Sequence, residues 1–402
     1  MIKMLLNRLD IKTTNDKLLL ALSFMLFMPL LFDFIFTVTK GNSAIYSMII
    51  YGLSLIVIFF EFRRLISLGN IFLILGIYLL FGLNIFIFPD SQEYFFRPQM
   101  YVLYAFSIPI SFLFIVKIKD WSSFFRIMAY FGFVSIFMSA VVILYVMSIP
   151  DLVADGVFSY MEFSYALSPL ICALFARFLE TNKYVYLIAF IVGLAEMIAY
   201  SSRAALIFLI LFVVVAEVFY YKQRKRRFII FILIILVGLY FSSAIINKVE
   251  ESSFFDVSYA INQFLTGEGV TSSSREYIYK LCRQRIDVVG IDICGFFGDR
   301  PYCGSVYPHN LIYEVVMQFG TLFGSISLFV LFLFIIRSYV NSANKLIVVF
   351  FVITIFAKYF FSDSYLESGK FWIFLGVLLS QVSKRKTKRN EYISSQCNLS
   401  RT

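Results

Sequence analysis

Long apolar stretches, separated by short charged segments, run along almost the whole chain. They fall near 18–36, 44–60, 70–88, 100–116, 127–149, 163–179, 184–200, 204–221, 228–246, 311–336, 345–361 and 370–382, with those at 163–179 and 370–382 the weakest. A helix rising ~1.5 Å per residue needs about 20 such residues to cross ~30 Å of hydrocarbon. The pattern therefore predicts an all-α polytopic membrane protein with about 12 transmembrane helices. The first run, Leu18–Phe36, is long enough to span and is followed by no small-residue cleavage site, so it reads as a retained helix and not a signal peptide.

Residues 247–310 break this rhythm with a long polar loop. Loops beyond about 15 residues are usually functional or disordered. This one contains aromatic residues, cysteines and amphipathic stretches, which predicts a small folded cap. The expected organisation is helices 1–9 in 1–246, the loop or cap in 247–310, helices 10–12 in 311–382 and a basic tail in 383–402. No internal repeat is visible.

Composition agrees with the membrane reading. The chain is 60% hydrophobic and 15% charged, whereas about a quarter of a soluble protein is charged. The 50 Phe and 26 Tyr suit lipid-facing surfaces and interfacial belts. A net charge of +10 invites a nucleic-acid partner, but its distribution argues against one. With the N-terminus inside and the helices alternating, 24 of the 35 Lys and Arg residues fall on cytoplasmic segments, including the cluster Lys222–Arg227 and the tail from Lys384. The short outer segments are acidic or neutral, with Asp90, Glu93, Asp151, Asp155, Glu162, Asp363 and Glu367. This bias orients the chain in an inner membrane with both termini cytoplasmic and the 247–310 loop on the outer face. Attraction to anionic lipid is secondary.

Five cysteines are too few for a disulfide framework. Cys172 falls in a membrane helix and Cys397 in the tail; Cys282, Cys294 and Cys303 fall in the loop. Cys294 and Cys303 are the nearest pair, across a Gly/Pro-rich turn, and either bond or stay as ordinary thiols. No Cys or His spacing suggests a metal.

Three places on the outer side carry candidate chemistry. Tyr200-Ser201-Ser202-Arg203 turns into the eighth helix, so free backbone N–H groups, a positive helix end and Arg203 make an anion site. Its plain alternative is an arginine reaching to lipid headgroups. In the loop, Ser273 and Glu276 form a capping box that opens an amphipathic helix with Ile278, Leu281, Cys282, Ile286 and Val289 on one face. Arg275 then stands in the first turn, where a cation opposes the dipole unless an anion binds; otherwise it is a solvated arginine. His309, the single histidine, follows Pro308 and precedes Asn310 just before the tenth run. It hydrogen-bonds a phosphate, moves a proton, or serves as a capping residue. Gly320 and Gly324 permit close helix packing. Of the charges within the runs (Asp33, Glu196, Glu217 and Lys358), Glu196 lies two turns before Arg203 and is a candidate ion-pair partner or base. There is no nucleotide-binding loop and no nucleophile elbow.

These motifs together resemble the bacterial O-antigen polymerase and O-antigen ligase superfamily. The residues concerned are Ser-Ser-Arg-Ala-Ala-Leu at 201–206, Ser-Arg-x-x-x-Tyr at 274–279, Gly290, Gly295 and the Pro-His-Asn-Leu-Ile-Tyr-Glu element leading to Gly320 and Gly324. The resemblance spans roughly 190–330. Tyr279 stands where ligases often have Trp.

The resemblance implies a glycosyltransferase that needs neither metal nor other cofactor. Its donor would be an oligosaccharide on undecaprenyl diphosphate, at the periplasmic face. Arg203, Arg275 and His309 would be catalytic, holding the departing diphosphate. Ser202, Ser274, Asn310, Glu196, Glu276 and Tyr279 would line the substrate site, with Glu196, Glu268 and Glu276 as candidate bases. The weak ligase-type signature and the Phe and Tyr content favour a polymerase, whose acceptor is a second lipid-linked repeat unit. A ligase would use lipid A-core instead. A lipid-linked oligosaccharide flippase is the alternative of another class, and it would be expected to show internal repeats. Besides the lipid bilayer, a chain-length regulator is a candidate partner. A periplasmic reporter fused after Gly267 should be active and one after Arg226 inactive; the reverse pattern contradicts the assigned orientation.

Overall fold

The computed structural model describes residues 11, 13–39, 43–148, 159–200, 203–220, 274–303 and 307–382. Among them there are helices and turns but no strand. Among the described residues, six helices are long and apolar enough to cross a membrane: α1 (Thr14–Thr39), α3 (Leu68–Ile87), α4 (Met100–Lys117), α5 (within Phe124–Ser148), α6 (within Tyr160–Thr181) and α10 (Leu311–Asn341). Between α1 and α3 lies α2 (Ser43–Phe62). Shorter apolar helices are α7 (Tyr184–Tyr200), α8 (Arg203–Tyr220) and α12 (Gly369–Val382). The expected run at 228–246 lies outside the described residues. The run at 345–361 is interrupted: α11 (Lys345–Phe351) passes into a π-helical turn at Val352–Phe356 and a 3-10 turn at Ala357–Phe360. The amphipathic stretch of the loop forms α9 (Ser274–Val289).

The surface of these helices identifies the solvent. In α3 Phe72, Leu79, Leu80 and Phe86 are exposed, and in α10 Phe323, Phe329, Val330 and Phe332 are exposed. Rows of large apolar side chains facing outward would aggregate in water but suit hydrocarbon. The protein is membrane-embedded and all-helical.

The chain divides into two compact units. One contains 22–46 and 123–274. Its centre is α6, packed among α5, α7 and α8, with Leu167, Leu170, Ile171, Ala173 and Leu174 fully buried. Close approach depends on missing side chains. A Cβ on Gly132 would come within 2.8 Å of Leu174, and one on Gly193 within 2.2 Å of Ile171. Ser159 caps the start of α6 by accepting from the Glu162 N–H, and Asn182 ends it in the left-handed conformation.

The other unit contains residues 47–122 and 275–402. Gly369 and Gly376 of α12 seat it against Ser107 and Ser111 of α4, where a Cβ would clash at 2.3 and 2.8 Å. Asn70 ties α3 to α4 by donating to the Phe112 carbonyl at 2.5 Å. The Tyr78 hydroxyl does the same at the Tyr104 carbonyl, inside a π-helical turn of α4 at Leu103–Ser107.

The tenth run is not one straight helix. Gly320 has φ 74° and ψ 169°, which breaks α10 into two arms. The break is filled by the segment that follows α9. Cys294 and Gly295 N–H groups donate to the Gln318 carbonyl at 2.9 Å, and Thr321 N–H donates to the Gly290 carbonyl at 2.8 Å. Every polar group exposed by a break at membrane depth needs such a partner. Gly324 lets the second arm fold against the first, since a Cβ there would lie 2.8 Å from Val316 Cα. The close packing expected of Gly320 and Gly324 is thus made with the loop and within α10 itself. A Cβ on Gly320 would meet the Ile291 carbonyl oxygen at 2.5 Å. Gly320→Ala should lower the melting temperature of detergent-solubilised protein sharply, because left-handed strain alone costs ~1–3 kcal/mol. Gly76→Ala, in open space on α3, should leave it unchanged or slightly raised. Equal melting of the two variants would contradict this account.

Candidate functional site

The site is built where α9, the 290–310 segment, the first arm of α10 and residues 358–368 meet, all within one unit. In α9, Ile278, Cys282 and Ile286 recur every four residues and so share one helix face. That face packs on Cys303, Met317 and Tyr313. The helix ends at Gly290, which is left-handed at φ 58° and donates to the Ile286 carbonyl at 2.9 Å. From Gly290 onward the chain plugs the α10 break, with the Gly290 carbonyl on Thr321 and, four residues on, the Cys294 N–H on the Gln318 carbonyl.

The plug is held from α3. Asn84 accepts from Phe296 N–H at 2.7 Å and donates to Ser91 at 3.1 Å. Gly295 has no room for a side chain, because a Cβ would lie 2.3 Å from Phe88 and 2.5 Å from Asn84. Phe296 packs edge-on to Phe81 at 5.3 Å, and Phe297 packs edge-on to Phe95 at 4.8 Å. Phe81 and Phe95 also line a mostly apolar cavity of about 660 Å³ with Tyr78, Tyr101 and Tyr104.

At the centre lies Arg300, with no exposed surface. It is ion-paired with Asp299, with Glu314 at 3.0 Å and with Glu367 at 3.4 Å, and it donates to Ser364 at 2.8 Å. Its guanidinium carbon lies 5.2 Å from the Phe297 ring and 5.8 Å from the Tyr307 ring. Further hydrogen bonds hold the carboxylates in place. Ser364 donates to Glu314, Gln318 donates to Asp299 at 2.6 Å, and Tyr365 donates to Gln318 at 2.5 Å. Burial works against the charge of Arg300, but Asp299, Glu314 and Glu367 outweigh it and hold its pKa above the ordinary value. Three carboxylates face one guanidinium. Burial raises the Asp299 carboxyl above its usual range against the pull of Arg300 and Gln318. The Glu314 Oε2 atom is buried with no hydrogen-bond partner among the described residues.

This network positions the histidine turn. Tyr307, next to Arg300, donates its hydroxyl to the Ser362 carbonyl at 3.1 Å. Its ring lies 4.3 Å from that of His309. His309 is left-handed at φ 55°, a conformation rare for a residue with a side chain. The Tyr279 hydroxyl donates to the His309 carbonyl at 3.4 Å, and the Tyr279 ring packs on Tyr313 at 5.3 Å. α9 and the His309 turn are thereby one assembly.

The residues singled out in the sequence fall as follows. Ser274, Arg275 and Glu276 open α9, with Arg275 one turn before Tyr279; their side chains lie outside the described residues. Asn310 is occupied as the N-cap of α10, accepting from Ile312 and Tyr313 N–H at 2.9 and 3.3 Å and donating to the Phe360 carbonyl at 3.3 Å. Arg203 and Glu196 belong to the other unit. Arg203 is the first residue of α8, its side chain undescribed, and Ser201 and Ser202 precede the described residues there. Glu196 is buried in α7 and hydrogen-bonded to Ser139. Glu268 lies outside the described residues. Lys358 pairs with Asp363. The neighbour of Cys303 is Cys282, with 3.6 Å between sulfurs, and Cys282, Cys294 and Cys303 are all thiols, the second of the two alternatives left open for them.

Sequence reasoning missed Arg300 and its carboxylates. Two signals were present: Asp299-Arg300 inside an aromatic, glycine-rich stretch, and Glu314 one turn into an apolar run. Arg300→Met should cost about 3–5 kcal/mol of stability, because it leaves buried carboxylates uncompensated. Glu314→Gln should cost less, about 1–3 kcal/mol, since the remaining oxygen still accepts from Arg300 and Ser364 while the new amide nitrogen is buried without an acceptor. Thermal unfolding in detergent checks both, and equal losses would contradict the network. No protein-family model, curated protein or solved structure matches the chain.

Proposed function

We propose that the chain is a membrane glycosyltransferase of the O-antigen polymerase type. It extends a glycan by transferring it from undecaprenyl diphosphate to a second lipid-linked repeat unit at the periplasmic face. In this reading the 12 predicted helices span the inner membrane, both termini are cytoplasmic and the 247–310 loop is periplasmic.

The observation that carries the reading is the joining of α9 to the His309 turn. Arg275 opens α9, and one turn later Tyr279 is bonded to the His309 carbonyl. Two of the three groups expected to meet the diphosphate therefore sit on elements packed against each other. A guanidinium forks onto phosphate oxygens, and an imidazole beside it adds a donor or takes a proton. The apolar cavity behind Phe81 and Phe95 suits a segment of an isoprenoid chain.

The reaction follows from these parts. An acceptor hydroxyl attacks the anomeric carbon of the donor sugar. The carbon–oxygen bond to the diphosphate breaks, through a transition state with oxocarbenium character. Negative charge grows on the leaving diphosphate, and fixed cations aimed at it lower the barrier. Arg275 and His309 supply that field, and Arg203 is a further cation that the reaction requires. Arg300 does not serve here, because it is buried and fully engaged; it positions Tyr307 and, through it, His309.

Arg203→Ala, Arg275→Ala and His309→Ala should each stop elongation while the protein still accumulates in the membrane. Lipopolysaccharide gels should show core bearing a single repeat unit. A normal long-chain ladder in all three variants would contradict the assignment.

A further inference from the structure

We propose that Cys282 and Cys303 are joined by a disulfide in the cell, bolting α9 to the turn that carries Arg300. Their sulfurs are 3.6 Å apart, Cys282 has no exposed surface and Cys303 is 5% exposed. Both stand in one small apolar cluster with Met317, walled by Ile278, Ile286 and Tyr313. In the structure both are thiols. A disulfide brings sulfurs to about 2.05 Å, so closure draws these two together by about 1.5 Å. The two residues belong to different elements, 21 positions apart, so the bond would close a loop and not merely link neighbours. Of the remaining thiols, Cys172 is buried in α6, and Cys294 is not the partner that Cys303 faces.

The chemistry rests on the outward orientation of the loop given under Proposed function, and on nothing else in that reading. An oxidising compartment supplies disulfide-bearing proteins or small disulfides as the oxidant. Either thiol of the pair, as its thiolate, attacks one sulfur of the oxidant's disulfide and expels the other as a thiolate. The second thiol of the pair then attacks its partner's sulfur in the mixed disulfide and expels the second thiolate. The two thiol protons pass to the two departing thiolates, so the oxidant leaves as a dithiol or two thiols, having accepted two electrons. Burial of the pair means that this exchange happens as the loop folds, before α9 docks. Once formed, the bond holds α9, with Arg275 in its first turn, against the Arg300 turn.

Counting free thiols tests this in the full chain. Cells expressing the protein are quenched in acid, denatured and labelled with a maleimide that adds a gel-visible mass per thiol. Three tags are expected for the wild type without reduction, from Cys172, Cys294 and Cys397, and five after it. Cys282→Ser and Cys303→Ser should each show four tags in both conditions, and Cys294→Ser should go from two to four. Five tags on the unreduced wild type would overturn the bridge, as would a Cys294→Ser variant that shows four tags before reduction. The O-antigen ladder of the same strains separates the two readings. Five tags with normal long chains removes the bridge alone, whereas three tags in a strain whose chain length ignores deletion of the gene removes the polymerase alone.

Discussion

A guanidinium taken wholly out of water must find an acceptor for its donors and a counter-charge for itself, or the fold that contains it is lost. Arg300 meets that demand with groups from three separated stretches: Asp299 beside it, Glu314 in α10, and Ser364 and Glu367 near the start of α12. One buried cation thus gathers the loop and two helical elements. It also sets the wall on which the histidine turn rests, through Tyr307. The site elements above it have their places because this charge is satisfied.

The same requirement, applied to the backbone, explains the shape of α10. A helix broken at Gly320 exposes carbonyl and amide groups, and the segment 290–295 supplies their partners. The glycines are therefore not spacers. Gly320 turns the chain where a carbonyl of Ile291 lies against it, and Gly295 passes where Asn84 and Phe88 leave no volume. The loop is built into the membrane-facing helices by backbone bonds and by the Phe296 and Phe297 rings.

Much of this was legible in the sequence, and the misses have physical causes. Hydropathy found the lipid-facing helices, because composition alone decides where an apolar run can sit. Four-residue spacing found the buried face of α9, with Cys282 on it. Hydropathy sees no backbone geometry, so the run at 311–336 read as one straight span and the run at 345–361 as an unbroken helix. The Arg300 network was hidden because its members are far apart in sequence and each looks like a surface residue by type. Asn310 was read as a substrate contact, although an Asn directly before an apolar run is also a strong N-cap signal, and capping is what it does. The cysteine pairing was judged by sequence distance, whereas docking of α9 decides which sulfur Cys303 meets.

On the proposed reading, the protein holds a lipid diphosphate and extends the glycan attached to it. The most direct measurement places purified protein in liposomes with undecaprenyl diphosphate-linked repeat unit as sole substrate and a chelator present. A ladder of longer lipid-linked glycans is predicted. An unchanged single-unit band, or extension only onto added lipid A-core, would contradict the claim.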